Sequence, residues 1–169
     1  LFRSATKEFA KVNVQTKIVL PEGADASKYS VKTSVWNPNG QKFTEQTTPL
    51  SQIKHNDNSL SQEFIIQTPT LWSPDMPALY SAETRLYEGD QLKDLYTTPF
   101  GIRSIEIIPN KGFFLNGEKT VFKGVCNHHD LGPLGAAVND AAIRRQIRIL
   151  KDMGCNAIRT SHNMPAPEL

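Results

Sequence analysis

The sequence predicts a mainly β protein: an antiparallel β-sandwich over residues 1–101, followed by a strand–helix–strand segment over residues 102–169. Three observations carry that expectation. Apolar side chains recur at every second position through the first hundred residues, the period of a half-buried strand. Turn chemistry interrupts them roughly every eight to fifteen residues, with no helical stretch between, which fits a sandwich of about seven strands. Beyond Gly124 the period changes to a short apolar strand, a helical stripe and a second short strand, the pattern of a βαβ unit.

The elements follow in order. Val12, Val14, Thr16, Ile18 and Leu20 share one face of the opening strand, Asn13, Gln15 and Lys17 share the other, and Pro21-Glu22-Gly23 ends it. Tyr29, Val31, Thr33 and Val35 form the next strand, up to Asn37-Pro38-Asn39-Gly40, whose Asn-Gly pair suits a hairpin with Gln41 to Gln46 as the return strand. Leu60, Gln62, Phe64 and Ile66 mark another strand ahead of Thr68-Pro69. Leu79 to Leu86 and Leu92 to Tyr96 flank Glu88-Gly89-Asp90 as a second hairpin.

The pattern changes near Phe100 to Arg103, where the domain boundary is placed. Ile105, Ile107 and Phe113 to Leu115 lead to Asn116-Gly117, another hairpin pair, and Val121 to Val125 read as a compact apolar strand. Asn139 is suited to cap a helix that begins at Asp140, with Ile143, Ile147 and Leu150 as its buried stripe and Gly154 as its stop. Arg144, Arg145, Arg148 and Lys151 occupy the remaining face, which reads as a solvated surface rather than a phosphate contact. Asn156-Ala157-Ile158 begins a strand expected to be buried on both sides.

Composition bounds the function classes. The chain has 169 residues, 38% hydrophobic and 21% charged, which allows one ordinary domain and part of another. No window of eighteen apolar residues is present to span a bilayer, so no membrane partner is expected. A formal net charge of +2, with both signs interspersed, argues against a nucleic-acid partner. Cys126 and Cys155 are not in a C-x-x-C pair, and two buried free thiols are the expectation.

The chemistry gathers at two strand ends: Gly124 to Asp130, reading G-V-C-N-H-H-D, and Asn156 to His162, reading N-A-I-R-T-S-H. His128, His129 and Asp130 suit metal ligation, general-base work or the lining of a polar pocket. Adjacent histidines on an extended chain point in opposite directions, so a metal is disfavoured. Arg159 and Ser161 share one side of the second strand, with His162 following as the chain turns; their place at the C-terminal mouth of a parallel strand marks them as site candidates, and the plainer reading of Arg159 as a buried partner of a neighbouring carboxylate is compatible with that role. His55 reads as an exposed loop residue, and Trp36 and Trp72 as sandwich core rather than a sugar-stacking platform.

Five ordered motifs then carry a resemblance: L-W-S-P-D-M-P-A-L-Y from Leu71, F-G-I-R from Phe100, F-L-N-G-E-K from Phe114, K-G-V-C-N-H-H-D from Lys123 and N-A-I-R-T-S-H from Asn156. Together they resemble the middle of a family 2 glycoside hydrolase of the β-galactosidase type. The resemblance implies an immunoglobulin-like sandwich followed by the first strand, helix and strand of a (β/α)8 barrel that hydrolyses β-linked glycosides with retention. It implies substrate-binding roles for His128 and His162 at the sugar of the −1 site, and for Arg159 beneath them in support of a catalytic carboxylate.

Many members carry H-E where this chain has His128-His129, and S-H-Y-P where it has Ser161-His162-Asn163-Met164-Pro165. No catalytic residue is expected here, because the acid/base and nucleophilic glutamates are implied beyond Leu169. No cofactor is expected for the segment itself, although magnesium or sodium is admitted for the complete enzyme, whose partner would be a β-linked oligosaccharide. The 169 residues alone are expected to be inactive. Two strands of eight do not close a barrel, so the segment after residue 120 is expected to be disordered, folded back on the sandwich, or self-associated through its exposed barrel strands. β-Glucuronidase and β-mannosidase are close alternatives. A stand-alone sandwich binding module is the rival from another class.

Overall fold

In the computed structural model, residues 5–52 and 59–169 are described, and His55 lies outside them. Nine residues of alternating burial, Phe9–Lys17, form β1, and Ser59–Gln67 form β4, whose pattern places Leu60, Gln62, Phe64 and Ile66 inward. The two pair antiparallel with Val12 opposite Phe64. A four-stranded antiparallel sheet in the order β3-β2-β5-β6 is built from β2 (Tyr29–Trp36), β3 (Lys42–Pro49), β5 (Tyr80–Glu88) and β6 (Gln91–Phe100). Six strands in two sheets thus make the immunoglobulin-like sandwich among the described residues, one fewer than the sequence suggested.

The hairpin turns are those the sequence predicts. Asn37 Oδ1 accepts from the backbone N–H groups of Asn39 and Gln41, each at 3.0 Å, which fixes the β2–β3 turn. Between the sheets the core forms two clusters. One holds Ala10, Val12, Val35, Phe64, Ile66, Tyr80 and Ile102; the other holds Ile18, Tyr29, Val31, Leu50 and Leu60. A polar group lies among them. Gln62 is buried, accepts from Thr33 Oγ1 at 2.6 Å, and donates to Thr48 Oγ1 at 3.1 Å and Gln46 O at 3.2 Å. A buried amide satisfied in this way penalises any slip in strand register, because a one-residue shift would strand it.

Two expectations need correction here. Trp36 and Trp72 are half-buried rather than core: Lys42 Nζ lies 5.7 Å from the Trp36 ring centre, and the Arg103 guanidinium 4.8 Å from that of Trp72. Each ring thus carries a cation over one face. β6, the edge strand of the four-stranded sheet, is exposed along nearly its whole length.

On the four-stranded sheet Lys32 and Lys42 converge on Glu45 at 3.0 and 2.8 Å. Hydrogen bonding from Lys42 first, then from Lys32, lowers the Glu45 carboxyl to about 2. A depressed carboxyl contributes stability that is complete above its unfolded value near 4.5 and lost as pH falls toward 2. The melting temperature of the native chain is therefore expected to fall more steeply between those limits than that of Glu45→Gln, and parallel curves would refute the coupling.

Beyond Arg103, β7 (Ile105–Ile108), β8 (Gly112–Leu115) and β9 (Glu118–Lys119) form a three-stranded antiparallel sheet. Its β8–β9 turn is Asn116-Gly117, both with positive φ, 54° and 81°, as a two-residue hairpin requires. Asn116 also ties this sheet to the sandwich. Its Oδ1 accepts from Ser104 N–H and its Nδ2 donates to Trp72 O, both at 3.0 Å. By its contacts the chain divides into Leu1–Lys119 and Thr120–Leu169.

The second unit holds β10 (Gly124–Asn127), α1 (Asp140–Asp152) and β11 (Ala157–Thr160). Asn139 caps α1 through Oδ1, which accepts from Ala142 N–H at 3.0 Å, and Gly154 leaves the helix at φ 87°. Ile143 is buried, with Ile147 and Leu150 half-buried beside it. Among the described residues no helix is long and apolar enough to cross a membrane.

Candidate functional site

β10 and β11 pair in parallel, with Gly124 opposite Ala157, Val125 opposite Ile158, Cys126 opposite Arg159, and Asn127 opposite Thr160. Alternation sorts them onto two faces. Asn127 is bonded to Gln146 of α1, so the face it shares with Val125, Ile158 and Thr160 is the helix-covered one. Cys126 and Arg159 lie on the opposite, exposed face, where the Arg159 guanidinium reaches Cys126 Sγ at 3.8 Å.

Four expectations change. β11 is covered on one face instead of two, because a single helix covers only one. Arg159 is exposed rather than buried. Both cysteines are free, but Cys126 is exposed and Cys155 half-buried. The strand expected over Val121 to Val125 begins instead at Gly124, with Val121 and Phe122 exposed.

The strand ends bring two of the three expected site residues together. His128 follows β10 directly and His162 lies one residue beyond β11, and their rings lie edge to face with centroids 6.0 Å apart and planes at 76°. His162 holds a left-handed backbone, φ 62°, uncommon for a residue with a side chain. Ser161, the residue before it, is buried, and its hydroxyl has no partner of ordinary hydrogen-bond geometry. Arg159 sits lower on the exposed face, beside Cys126.

Next to the histidines is a cavity of about 280 Å³ whose lining includes His128, His129, Asp130, Gln146, Thr160 and Asn163. Neither His162 nor Arg159 lines it. Asn163 Nδ2 lies 3.2 Å from His129 Nδ1, so the amide donates and the imidazole accepts. Sequence reasoning missed Asn127, Gln146 and Asn163. Gln146 carried a signal: it falls three residues after Ile143 and four before Leu150, so it is a polar residue on the buried stripe of α1.

The Cys126 thiol is held below its ordinary range, first by the Ser161 hydroxyl beside it and next by Arg159. Thiolate chemistry follows the deprotonated fraction. Alkylation of Cys126, followed peptide by peptide against pH, should therefore show a midpoint below that of an ordinary thiol and move upward in Arg159→Leu. An unmoved midpoint would show that the arginine has no hold on the sulfur.

Among the described residues no three His, Cys, Asp or Glu side chains are grouped to hold a metal ion.

Comparison with known proteins gives the fold and site a context. Over 166 residues, 98% of this chain and 19% of the relative, the chain is 41% identical to the β-galactosidase BoGH2A of Bacteroides ovatus. It is 44% identical over 140 residues, 83% of this chain and 13% of the relative, to a putative β-glucuronidase of Formosa agariphila. Among solved structures, a glycosyl hydrolase family 2 member from Bacteroides cellulosilyticus superposes over 100% of this chain and 23% of its own, with a TM-score of 0.86 at 33% identity. A β-glycosidase from Bacteroides vulgatus superposes over 99% and 20%, with a TM-score of 0.82 at 36% identity. The chain spans a fifth or less of the length of these curated relatives. The sequence profile of Glycosyl hydrolases family 2 matches residues 3–103, and the TIM barrel domain profile of the same family matches residues 106–169. On those two adjoining matches, which together take in the sandwich and the βαβ unit, the chain belongs to glycosyl hydrolase family 2.

Proposed function

We propose that these residues form the sandwich and the first βαβ unit of a retaining β-glycosidase that removes terminal β-galactosides in carbohydrate catabolism. The observation that carries the reading is the His128–His162 pair, two imidazoles 6.0 Å apart at the C-terminal ends of neighbouring parallel strands. Strand ends of that kind are where barrel enzymes keep their chemistry. In this reading both rings hydrogen-bond sugar hydroxyls, with bonds that tighten as the oxocarbenium-like transition state forms. Arg159, on the exposed face of the same strands, supports a carboxylate supplied from elsewhere in the barrel.

Retaining hydrolysis needs two carboxylates about 5 Å apart, one acid/base and one nucleophile. In this reading neither is supplied by these 169 residues, and the 169-residue chain by itself is expected to show no turnover. Galactoside is preferred on coverage, since the β-galactosidase relative matches 98% of this chain and the putative β-glucuronidase 83%. β-Glucuronide is the second reading, supported by the higher identity of the latter match. The open edges of β10 and β11 also make self-association of the isolated chain an expected behaviour.

Assay of the complete coding sequence against nitrophenyl β-galactoside, β-glucuronide and β-mannoside tests the assignment. Highest kcat/KM on the galactoside supports it, and highest kcat/KM on the glucuronide transfers it to the second reading. Turnover by the 169-residue chain that survives removal of host glycosidases would overturn the division of labour.

A further inference from the structure

The turns that carry His128 and His162 are tied to each other twice. On one side of the pair the Asn127 carbonyl accepts from Ser161 N–H at 2.8 Å; on the other, Asn163 Nδ2 donates to His129 Nδ1 at 3.2 Å. Each histidine therefore stands between two cross-linked neighbours. A third tie anchors this arrangement to α1. The side-chain amides of Gln146 and Asn127 exchange hydrogen bonds, Gln146 Nε2 to Asn127 Oδ1 at 2.7 Å and Asn127 Nδ2 to Gln146 Oε1 at 3.3 Å, in a partly buried setting. His162, with its left-handed backbone, keeps that conformation only where its neighbours impose it.

We propose that Gln146 is a positioning residue: through Asn127 it sets the spacing and tilt of the His128–His162 pair, and the Asn163–His129 bond closes the far side of the same clasp. Its catalytic meaning rests on the reading of that pair as sugar-contacting, but the geometry does not. An amide both gives and receives hydrogen bonds, whereas a carboxylate only receives them. Gln146→Glu thus keeps the size of the side chain and forfeits the 2.7 Å bond to Asn127 Oδ1, and Gln146→Leu forfeits both bonds.

The test is nuclear magnetic resonance of the 169-residue chain, reading the ring C–H signals of His128 and His162 and hydrogen exchange at the Ser161 amide. In both Gln146 variants the two ring signals are expected to move, and Ser161 exchange to rise roughly five- to tenfold, while the amide signals of α1 persist. Changes confined to Asn127 and α1, with the His162 ring and Ser161 amide unmoved, would overturn the proposal. Asn163→Ala lies outside the helix and decides the matter should α1 itself melt: displaced histidine rings support the clasp, and unmoved rings refute it. None of these readouts involves a sugar. Failure of the complete protein to cleave any β-glycoside would therefore end the functional reading and leave the clasp intact.

Discussion

Replacing Phe64 with alanine is expected to lower the stability of the sandwich by about 3–5 kcal/mol, the range for emptying a buried aromatic site. Phe64 is 4% exposed and packs in the cluster with Val12, Val35, Ile66, Tyr80 and Ile102. Its neighbours come from both sheets and from the segment after β6, so no single strand can move in to fill the space. Domains of this size are stable by about 5–15 kcal/mol, and the loss is a large part of that. Chemical denaturation followed by tryptophan fluorescence reports on this unit, since Trp36 and Trp72 both lie within it. A loss below about 1 kcal/mol would mean that the core relaxes around the vacancy and that its packing is looser than described.

Gly124→Ala is expected to break the pairing of β10 with β11. A Cβ at that position would stand 2.5 Å from the Ala157 carbonyl oxygen and 3.0 Å from its carbon. These are backbone atoms held in the ladder, with no side-chain rotation available to relieve the contact. The cost is on the order of 3 kcal/mol for overpacking at a fixed position. Hydrogen exchange should show the Asn156 and Ser161 amides, bonded to Lys123 O and Asn127 O, losing protection while the amides of β2 and β5 keep theirs. Native protection at both amides in the variant would disprove the argument.

How much of this was legible in the sequence depended on what covers each face. In β4 the alternation of Leu60, Gln62, Phe64 and Ile66 could be read directly, because one face meets the opposite sheet and the other meets water. The helix caps and the Asn-Gly hairpins were legible for a different reason: their chemistry is local. At the candidate site, the placement of His128 and His162 at strand ends could be read. Which face of β10 and β11 the helix covers could not, since that depends on packing across the unit.

The start of β10 was misread because apolar character does not reveal a ladder partner. Asn156 takes the place of one at Val121 to Lys123, with Oδ1 accepting from Lys123 N–H at 2.8 Å and Nδ2 donating to Val121 O at 3.0 Å. A side chain thereby satisfies backbone groups that a strand would otherwise have paired.

Asn116 has a consequence for how the protein ages. One amide supplies both an acceptor for Ser104 and a donor for Trp72, and it is followed by Gly117, the least shielding neighbour a peptide can offer. Deamidation there would exchange the donor for a second anionic oxygen aimed at the Trp72 carbonyl, so that two acceptors would face each other at the joint between the hairpin sheet and the sandwich. A single-dalton change in mass at this residue would thus mark molecules whose joint has loosened, long before any loss of secondary structure.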